Sequence, residues 1–311
     1  MDLFANPSAS LADLVLPAAS CWERAALLPA PAPFALAEHT ATWAQFRQPV
    51  VRPVHESRSD LEIIFELAMR LGLGEHFFAG KIEAAFNYQL APSGLTVQQL
   101  REQPMGVRVD ARTRYQKYAE IDAQTGRPRG FATPTGKIEL YATRFANAGY
   151  APLPVDQEPE ERLHGPPAGD EEYPLVLTFA RLVQFRDGQD RNIPRLRRQA
   201  PEPLLEIHPS TASALGIDNG GRVRVETAAG SVRLKARFSP WLHPRVVATQ
   251  YGWWQACQEL GAPAYDPLGP DGANANLLIS NDVVDPISGS VPHRSQRCRV
   301  AKVELATGSA T

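Results

Sequence analysis

Residues 151–172, APLPVDQEPEERLHGPPAGDEE, contain five prolines and seven acids and almost no large apolar side chain. A stretch of this kind has too little apolar surface to repay its ordering and reads as an exposed linker. It divides the chain into a segment 1–150 and a segment 173–311, and 311 residues are enough for two domains. No internal repeat is visible on either side, and the two sides differ in the period of their hydrophobic pattern.

Before the linker the period is helical. Ser59-Asp60-Leu61-Glu62 is a capping box, and Leu61, Ile64, Phe65, Ala68 and Leu71 then recur on one face until Gly72, which predicts an amphipathic helix. A shorter helix is expected around Thr96 to Glu102, and Gly136 to Tyr141 reads as a short strand leaving a Pro-Thr-Gly turn. Met1 to Phe4 is a brief apolar fragment running into the turn Asn6-Pro7-Ser8, and Leu11 to Leu16 stops at Pro17; the opening reads as the tail of a strand. It is no secretory signal, since the first residues carry no positive charge and Asp13 and Pro17 break the apolar run. Together these features predict the remnant of an α/β layer belonging to a larger domain. None of their residues is arranged for chemistry.

After the linker the period becomes two. Arg222 to Glu226 and Val232 to Phe238 alternate apolar and charged residues around the turn Ala228-Ala229-Gly230, the pattern of a half-buried hairpin. Pro174 to Phe179, Leu204 to His208, Arg245 to Tyr251 and Arg297 to Leu305 are further strands, and Pro209 to Leu215 is one short helix with proline at its start and Gly216 at its end. Many short strands and a single small helix predict a closed or nearly closed barrel.

Charge and cysteine usage remove several functions. Thirty-two basic against 34 acidic residues give a net charge of −2, so no global field recruits nucleic acid or anionic lipid. No apolar run approaches the ~20 residues a membrane helix needs. Three widely spaced cysteines, Cys21, Cys257 and Cys298, exclude a disulfide framework, a four-cysteine zinc site and a complete cubane iron–sulfur site built from this chain alone.

Two loop regions stand out. TFARLVQFRDGQDRNIPRLRR follows a strand and places Arg181, Arg186, Arg191, Arg195, Arg197 and Arg198 within eighteen residues, with Asp187 and Asp190 as the only acids and no lysine. Guanidinium forks grip phosphate oxygens in pairs, each charge-assisted bond contributing ~1.5–3 kcal/mol, so a phosphorylated ligand is one reading. The other is that these arginines face water or pair with the acidic linker upstream. The second region is YGWW, 251–254, with GANANLLISNDVVDPISGS beyond it. Asparagine amides read heterocycle edges and a tryptophan pair offers a stacking wall, but Asn274 and Asn276 could equally form turns and Trp253 and Trp254 pack the barrel.

Taken together, PEPLLEIHPSTASALGI, VRVETAAGSVRLKA, VVATQYGWW, NANLL with DPISGS, and PHRSQRCRV resemble, in order, the C-terminal half of molybdopterin oxidoreductases of the dimethyl sulfoxide reductase family. LADLVLPAAS, SRSDLEIIFELAMRLGLGEHF and FATPTGKIELY resemble that family's segments before its final domain, so the likeness spans essentially the whole chain. It implies a final domain, 173–311, of double-psi β-barrel type that helps hold a molybdopterin guanine dinucleotide, preceded by an incomplete α/β segment, 1–150. By this resemblance Thr178, Phe179, Ala180 and Arg181, with Gln184, Phe185 and Arg186, sit where the family contacts pterin and phosphate groups. Gly252, Trp253, Asn274 and Asn276 fall where the dinucleotide is lined by backbone and amide groups, and Arg294 lies in a late loop closing over a pterin. Two departures stand in the sequence: Ala180 replaces a glycine, and Gly220-Gly221 replaces a Gly-Asp pair.

The family's iron–sulfur region and its molybdenum ligand have no counterpart here. The resemblance therefore implies a C-terminal piece of a two-electron redox enzyme, with no catalytic residue, metal ligand or iron–sulfur cluster of its own and inactive alone. Molybdenum or tungsten would be held by an N-terminal half of the catalytic subunit, and an iron–sulfur electron-transfer subunit would be a further partner; neither nucleic acid nor direct membrane insertion is implied. The location is cytoplasmic as the chain stands, or periplasmic if exported with that half. Two competing readings, a molybdopterin carrier and a non-catalytic barrel for protein or nucleic-acid contacts, would use the same scaffold.

Overall fold

The computed structural model describes residues 1–28, 43–109, 115–154, 172–269, 271–282, 284–291 and 293–303. The chain forms two compact units, Met1–Pro154 and Val155–Thr311. Most of the proline-rich acidic segment, 155–171, lies outside the described residues, and so does any pairing of its acids with the arginine loop.

In the first unit, β1 (Ala26–Leu28), β2 (Trp43–Arg47) and β3 (Val107–Arg108) form a small antiparallel sheet with β2 in the middle. Its core sets Ala44 and Phe46 against Phe86, Leu90, Val97 and Leu100, with the Phe46 and Phe86 rings edge to face at 5.9 Å. The capping box forms as the sequence predicts: the Ser59 hydroxyl accepts the Glu62 amide at 3.2 Å and the Glu62 carboxylate accepts the Ser59 amide at 2.8 Å, opening the Asp60–Arg70 helix. Of the apolar stripe, Phe65 and Ala68 are buried, whereas Ile64 and Leu71 stay exposed. A second capping box, Thr96 with Gln99, opens the Val97–Glu102 helix.

Two expected strands do not form. At the start only Asp2 pairs, in one isolated bridge with Pro17, because Asn6-Pro7 nucleates the short Pro7–Leu11 helix instead. Gly136 to Tyr141 has no regular structure and leaves a turn at Pro134-Thr135. The Phe131 amide donates to the Gly136 carbonyl at 2.8 Å across that turn and Gly136 takes φ +68°, but no strand among the described residues pairs with the segment beyond it, and Ile138 and Leu140 stay exposed.

The second unit is a closed barrel of six strands: β4 (Leu175–Phe179), β5 (Leu204–Ile207), β6 (Arg222–Thr227), β7 (Gly230–Phe238), β8 (Val246–Thr249) and β9 (Gln296–Lys302), in the cyclic order β4-β8-β5-β7-β6-β9. Two pairs, β4–β8 and β5–β7, are parallel and the other four antiparallel. The period-2 pattern dictates the interior: Val223, Val225, Val232, Leu234 and Ala236 point inward with Leu177, Leu205, Ile207, Val247 and Cys298, all essentially without solvent contact. Burying each large aliphatic side chain contributes ~1.5–3 kcal/mol, so the inward rows dominate the stability of this unit. Outside, Lys235 with Glu202 (2.6 Å), Arg299 with Glu226 (2.7 Å) and Lys302 with Asp218 (3.0 Å) form ion pairs in water, each contributing ~0–1 kcal/mol. The Pro209–Ala214 helix sits between β5 and β6, its first turn closed by the His208 ring nitrogen accepting the Ser210 amide.

The β6–β7 hairpin has a two-residue turn, with Thr227 opposite Gly230. Its tip also holds a neighbouring segment. The Thr227 hydroxyl donates to the Leu278 carbonyl at 3.0 Å, and a Cβ on Gly230 would lie 2.6 Å from the Leu277 carbonyl oxygen, so only glycine lets that backbone approach. The 3-10 turn Ala275–Leu278 is thereby fixed against the barrel.

Candidate functional site

Because β4 and β8 run parallel and in register, Phe179 opposite Thr249, the loops that follow them emerge at the same end of the barrel. The Ala180 amide still donates to the Thr249 carbonyl at 2.9 Å, after which both chains leave the sheet. They then fasten to each other. Gly252 takes φ +85°, and a Cβ there would lie 2.6 Å from the Gly188 Cα, so the crossing of the two loops requires glycine. Trp254 Nε1 donates to the Gly188 carbonyl at 2.7 Å.

The fastening is completed by a buried cation. Arg191, 2% exposed, donates to the carbonyls of Asp187 (2.6 Å), Gln189 (3.0 Å) and Tyr251, while its own amide is accepted by Gln255 Oε1 at 3.1 Å. Its guanidinium lies 4.5 Å from the centre of the Phe185 ring and 5.2 Å from that of Trp253. Arg197, fully buried, approaches the Trp253 ring to 5.0 Å and donates to the carbonyls of Pro201, Arg191, Gln255 and Pro263. Burial first, and the Arg197 charge second, push the Arg191 guanidinium down to about 10, which leaves it charged at neutral pH; burial lowers Arg197 as well.

The fastened loops contribute Arg181 and Tyr251 to a pocket of about 300 Å³. Phe179, Tyr251 and Ile279 give it apolar walls, Ala275 and Asn276 of the 3-10 turn form one side, and Arg181, His293 and Arg294 bring polar nitrogens. Arg181 pairs with Asp187 at 3.3 Å; Arg294 has no ion-pair partner among the described residues. Two guanidinium forks, an amide and two aromatic faces suit an anionic ligand that also carries a ring. No cluster of three or more His, Cys, Asp or Glu side chains with metal-binding geometry occurs among the described residues, and no helix among them is long and apolar enough to cross a membrane.

Of the residues singled out in the sequence, Phe179, Arg181, Asn276 and Arg294 meet in this pocket although they come from three separate segments. Ala180 shares with Arg181, Asp187 and Arg191 a narrow cleft beside it. Thr178 is half-buried within β4, opposite Ala248. Gln184 is half-buried in the arginine loop and lines neither space, and Arg186 is exposed and paired with Asp190 at 3.3 Å. Phe185 and Trp253 are core residues packed edge to face at 5.8 Å, and Gly252 is the crossing point of the loops. Asn274 shapes the chain: its side-chain oxygen accepts the Asn276 amide at 3.1 Å and its nitrogen donates to the Pro267 carbonyl at 2.6 Å. Tyr251, Ile279 and His293 line the pocket without having been anticipated. Tyr251 and His293 directly precede Gly252 and Arg294, so the signal lay one residue away.

A closed barrel whose paired loops bring arginines, an amide and aromatic rings to one pocket is a cofactor-binding barrel of the nucleotide type. Residues 175–296 match the Molydopterin dinucleotide binding domain. The chain belongs to the dimethyl sulfoxide reductase family of molybdopterin oxidoreductases and corresponds to the C-terminal part of its members. It is 32% identical to acetylene hydratase of Syntrophotalea acetylenica over 93% of this chain and 37% of that protein, and 26% identical to dimethyl sulfoxide reductase of Escherichia coli over 97% and 37%. The solved structure of acetylene hydratase from Pelobacter acetylenicus superposes with a TM-score of 0.72 at 28% identity, covering 96% of this chain and 39% of that one. The chain thus spans well under half the length of these relatives.

Proposed function

We propose that the second unit holds the dinucleotide end of a molybdopterin guanine dinucleotide, with Arg181 and Arg294 on its phosphates, Asn276 on a polar edge, and Phe179 and Tyr251 against its rings. The observation that carries this reading is the convergence of Phe179, Arg181, Asn276 and Arg294 from three segments onto one pocket. The donor set suits the group: forks for phosphate oxygens, an amide for a heterocycle edge, and apolar walls that exclude water. In this reading the barrel is of the double-psi type, supported by its two parallel strand pairs within a closed sheet.

When bound, the cofactor supplies two-electron chemistry at molybdenum or tungsten. The contribution of this chain is to bind and orient it; no residue here is assigned to catalysis or to the metal. The relatives include a hydratase, reductases, a formate dehydrogenase and a dehydroxylase, so this half of the scaffold does not select the reaction, and the substrate is set by residues that correspond to the remainder of those proteins. We infer that the chain works with that remainder, the N-terminal half of a catalytic subunit, and with an iron–sulfur electron-transfer subunit. Exposed apolar side chains in the first unit, Leu11, Leu14, Trp22 and Val50 among them, support a missing partner surface.

Co-expression with a polypeptide corresponding to that remainder is expected to yield a soluble complex containing pterin and molybdenum or tungsten. A metal-free complex with wild-type chain, or a chain that turns over substrate alone, overturns the reading.

A further inference from the structure

We propose that Asp187 is the selectivity residue of the pocket: its carboxylate occupies Arg181 against neutral and singly charged ligands and gives way only to a phosphate- or pyrophosphate-class anion. This rests on the pocket being the anion site argued above. Asp187 Oδ1 lies 3.3 Å from the Arg181 guanidinium and accepts the Tyr251 hydroxyl at 3.4 Å, so one carboxylate oxygen engages two of the pocket's own lining residues. It lines the narrow cleft beside the pocket, which shares Arg181 and Tyr251 with it, and so holds Arg181 from the pocket's edge.

The placement of that carboxylate is built into the backbone. Asp187 takes φ +45°, a left-handed conformation that non-glycine residues seldom adopt. Buried Arg191 holds its carbonyl at 2.6 Å, and the carbonyl oxygen is 2.7 Å from where a Cβ of Gly252 would be. The residue is thus pinned by the buried cation, with its side chain directed to Arg181. Yet the Arg181–Asp187 pair is weak, because the two side chains are 78% and 68% exposed, and ion pairs in water hold little net energy. A ligand carboxylate would replace like with like and gain nothing. A phosphate bearing up to two charges outcompetes the internal acid, and more so at low salt, where exposed charges are least screened. The neighbouring pair Arg186–Asp190 has the same separation, 3.3 Å, but Arg186 lines neither this pocket nor the cleft beside it, which makes it an internal control.

The test is calorimetric titration of the full chain with guanosine diphosphate and with guanosine. Asparagine tolerates left-handed backbone, so Asp187→Asn keeps the turn, which circular dichroism verifies. Asp187→Asn is expected to bind the diphosphate about threefold to tenfold more tightly, by removing a like charge beside the ligand, with guanosine unchanged and Asp190→Asn matching wild type. An equal gain for guanosine, or the same gain in Asp190→Asn, overturns the proposal. So does an unchanged Asp187→Asn when Arg181→Ala weakens the diphosphate; in that case the pocket assignment survives. If Arg181→Ala and Arg294→Ala both leave the diphosphate affinity untouched, the pocket assignment itself is wrong and the selectivity role falls with it.

Discussion

The arginine-rich segment that leaves β4 behaves as two regions with opposite physics. Between Arg181 and Arg186 the guanidiniums are largely in water and meet carboxylates, Asp187 and Asp190. From Arg191 to Arg197 two of them are buried among aromatic rings and meet only backbone carbonyls. A carboxylate is dispensable on the surface, since water competes for both partners. In the interior an arginine without an acid is tolerable because most of its donors meet carbonyls, three for Arg191 and four for Arg197, and because the ring faces of Phe185 and Trp253 add cation–π attraction; the Arg191 Nε is left without a hydrogen-bond partner among the described residues. The inner arginines fasten the loops to each other; of the outer ones, Arg181 reaches the pocket.

The contrast breaks first at Arg197. Replacing it with alanine leaves the carbonyls of Arg191 and Gln255 buried without that donor, and each stranded carbonyl costs ~1–3 kcal/mol. Urea unfolding is expected to show a loss of more than ~3 kcal/mol for the barrel; a loss below ~1 kcal/mol would mean that water satisfies those carbonyls and that the residue is not structural. Arg191→Lys comes next. It keeps the charge but not the fork that spans the carbonyls of Asp187, Gln189 and Tyr251, so about 1–3 kcal/mol should be lost. Amide exchange in the loop 181–190 is expected to quicken at the same time, and unchanged exchange would show that the loop is held by Gly252 and Trp254 instead.

This division was not legible in the sequence. The alternating pattern of residues 222–238 specified the hairpin, because inward valines and outward arginines leave only one register that buries the apolar row, and strands β4, β5, β8 and β9, the first and third of them short apolar runs without that alternation, fell within a few residues of expectation. Gly136 to Tyr141 shows the limit: a strand also requires a pairing neighbour, and no strand among the described residues lies beside it. The six arginines carried a composition signal with no indication of depth. Which of them would be buried depends on carbonyls at Tyr251, Gln255 and Pro263, about sixty residues away in the chain. Phe185 and Trp253, ligand contacts by the family resemblance, lie buried and packed edge to face in the barrel core.

The comparison sharpens at Arg181, where an effect on binding without an effect on stability is expected. The side chain is 78% exposed and its pair with Asp187 contributes little, so Arg181→Ala should leave the unfolding free energy from urea titration within ~0.5 kcal/mol of wild type. Loss of a charge-assisted contact to a phosphate should lower affinity for guanosine diphosphate about tenfold. Equal losses of stability and affinity would place Arg181 with the inner group.

The smallest effect is expected at Arg186, where both regions are silent. Its side chain is 80% exposed, its partner among the described residues is Asp190 on the same loop, and it lines neither the pocket nor the cleft beside it. Arg186→Ala removes an exposed i,i+4 pair outside any helix, for which ~0–0.5 kcal/mol is the expected change. Affinity for guanosine diphosphate should fall less than about twofold, through the long-range loss of one screened charge, and that residual effect should vanish at 0.5 M salt, where the screening length is only ~4 Å. A tenfold loss that persists at high salt would show that the loop rearranges on binding to bring Arg186 onto the ligand, and the outer group would then contain two phosphate-binding forks in place of one.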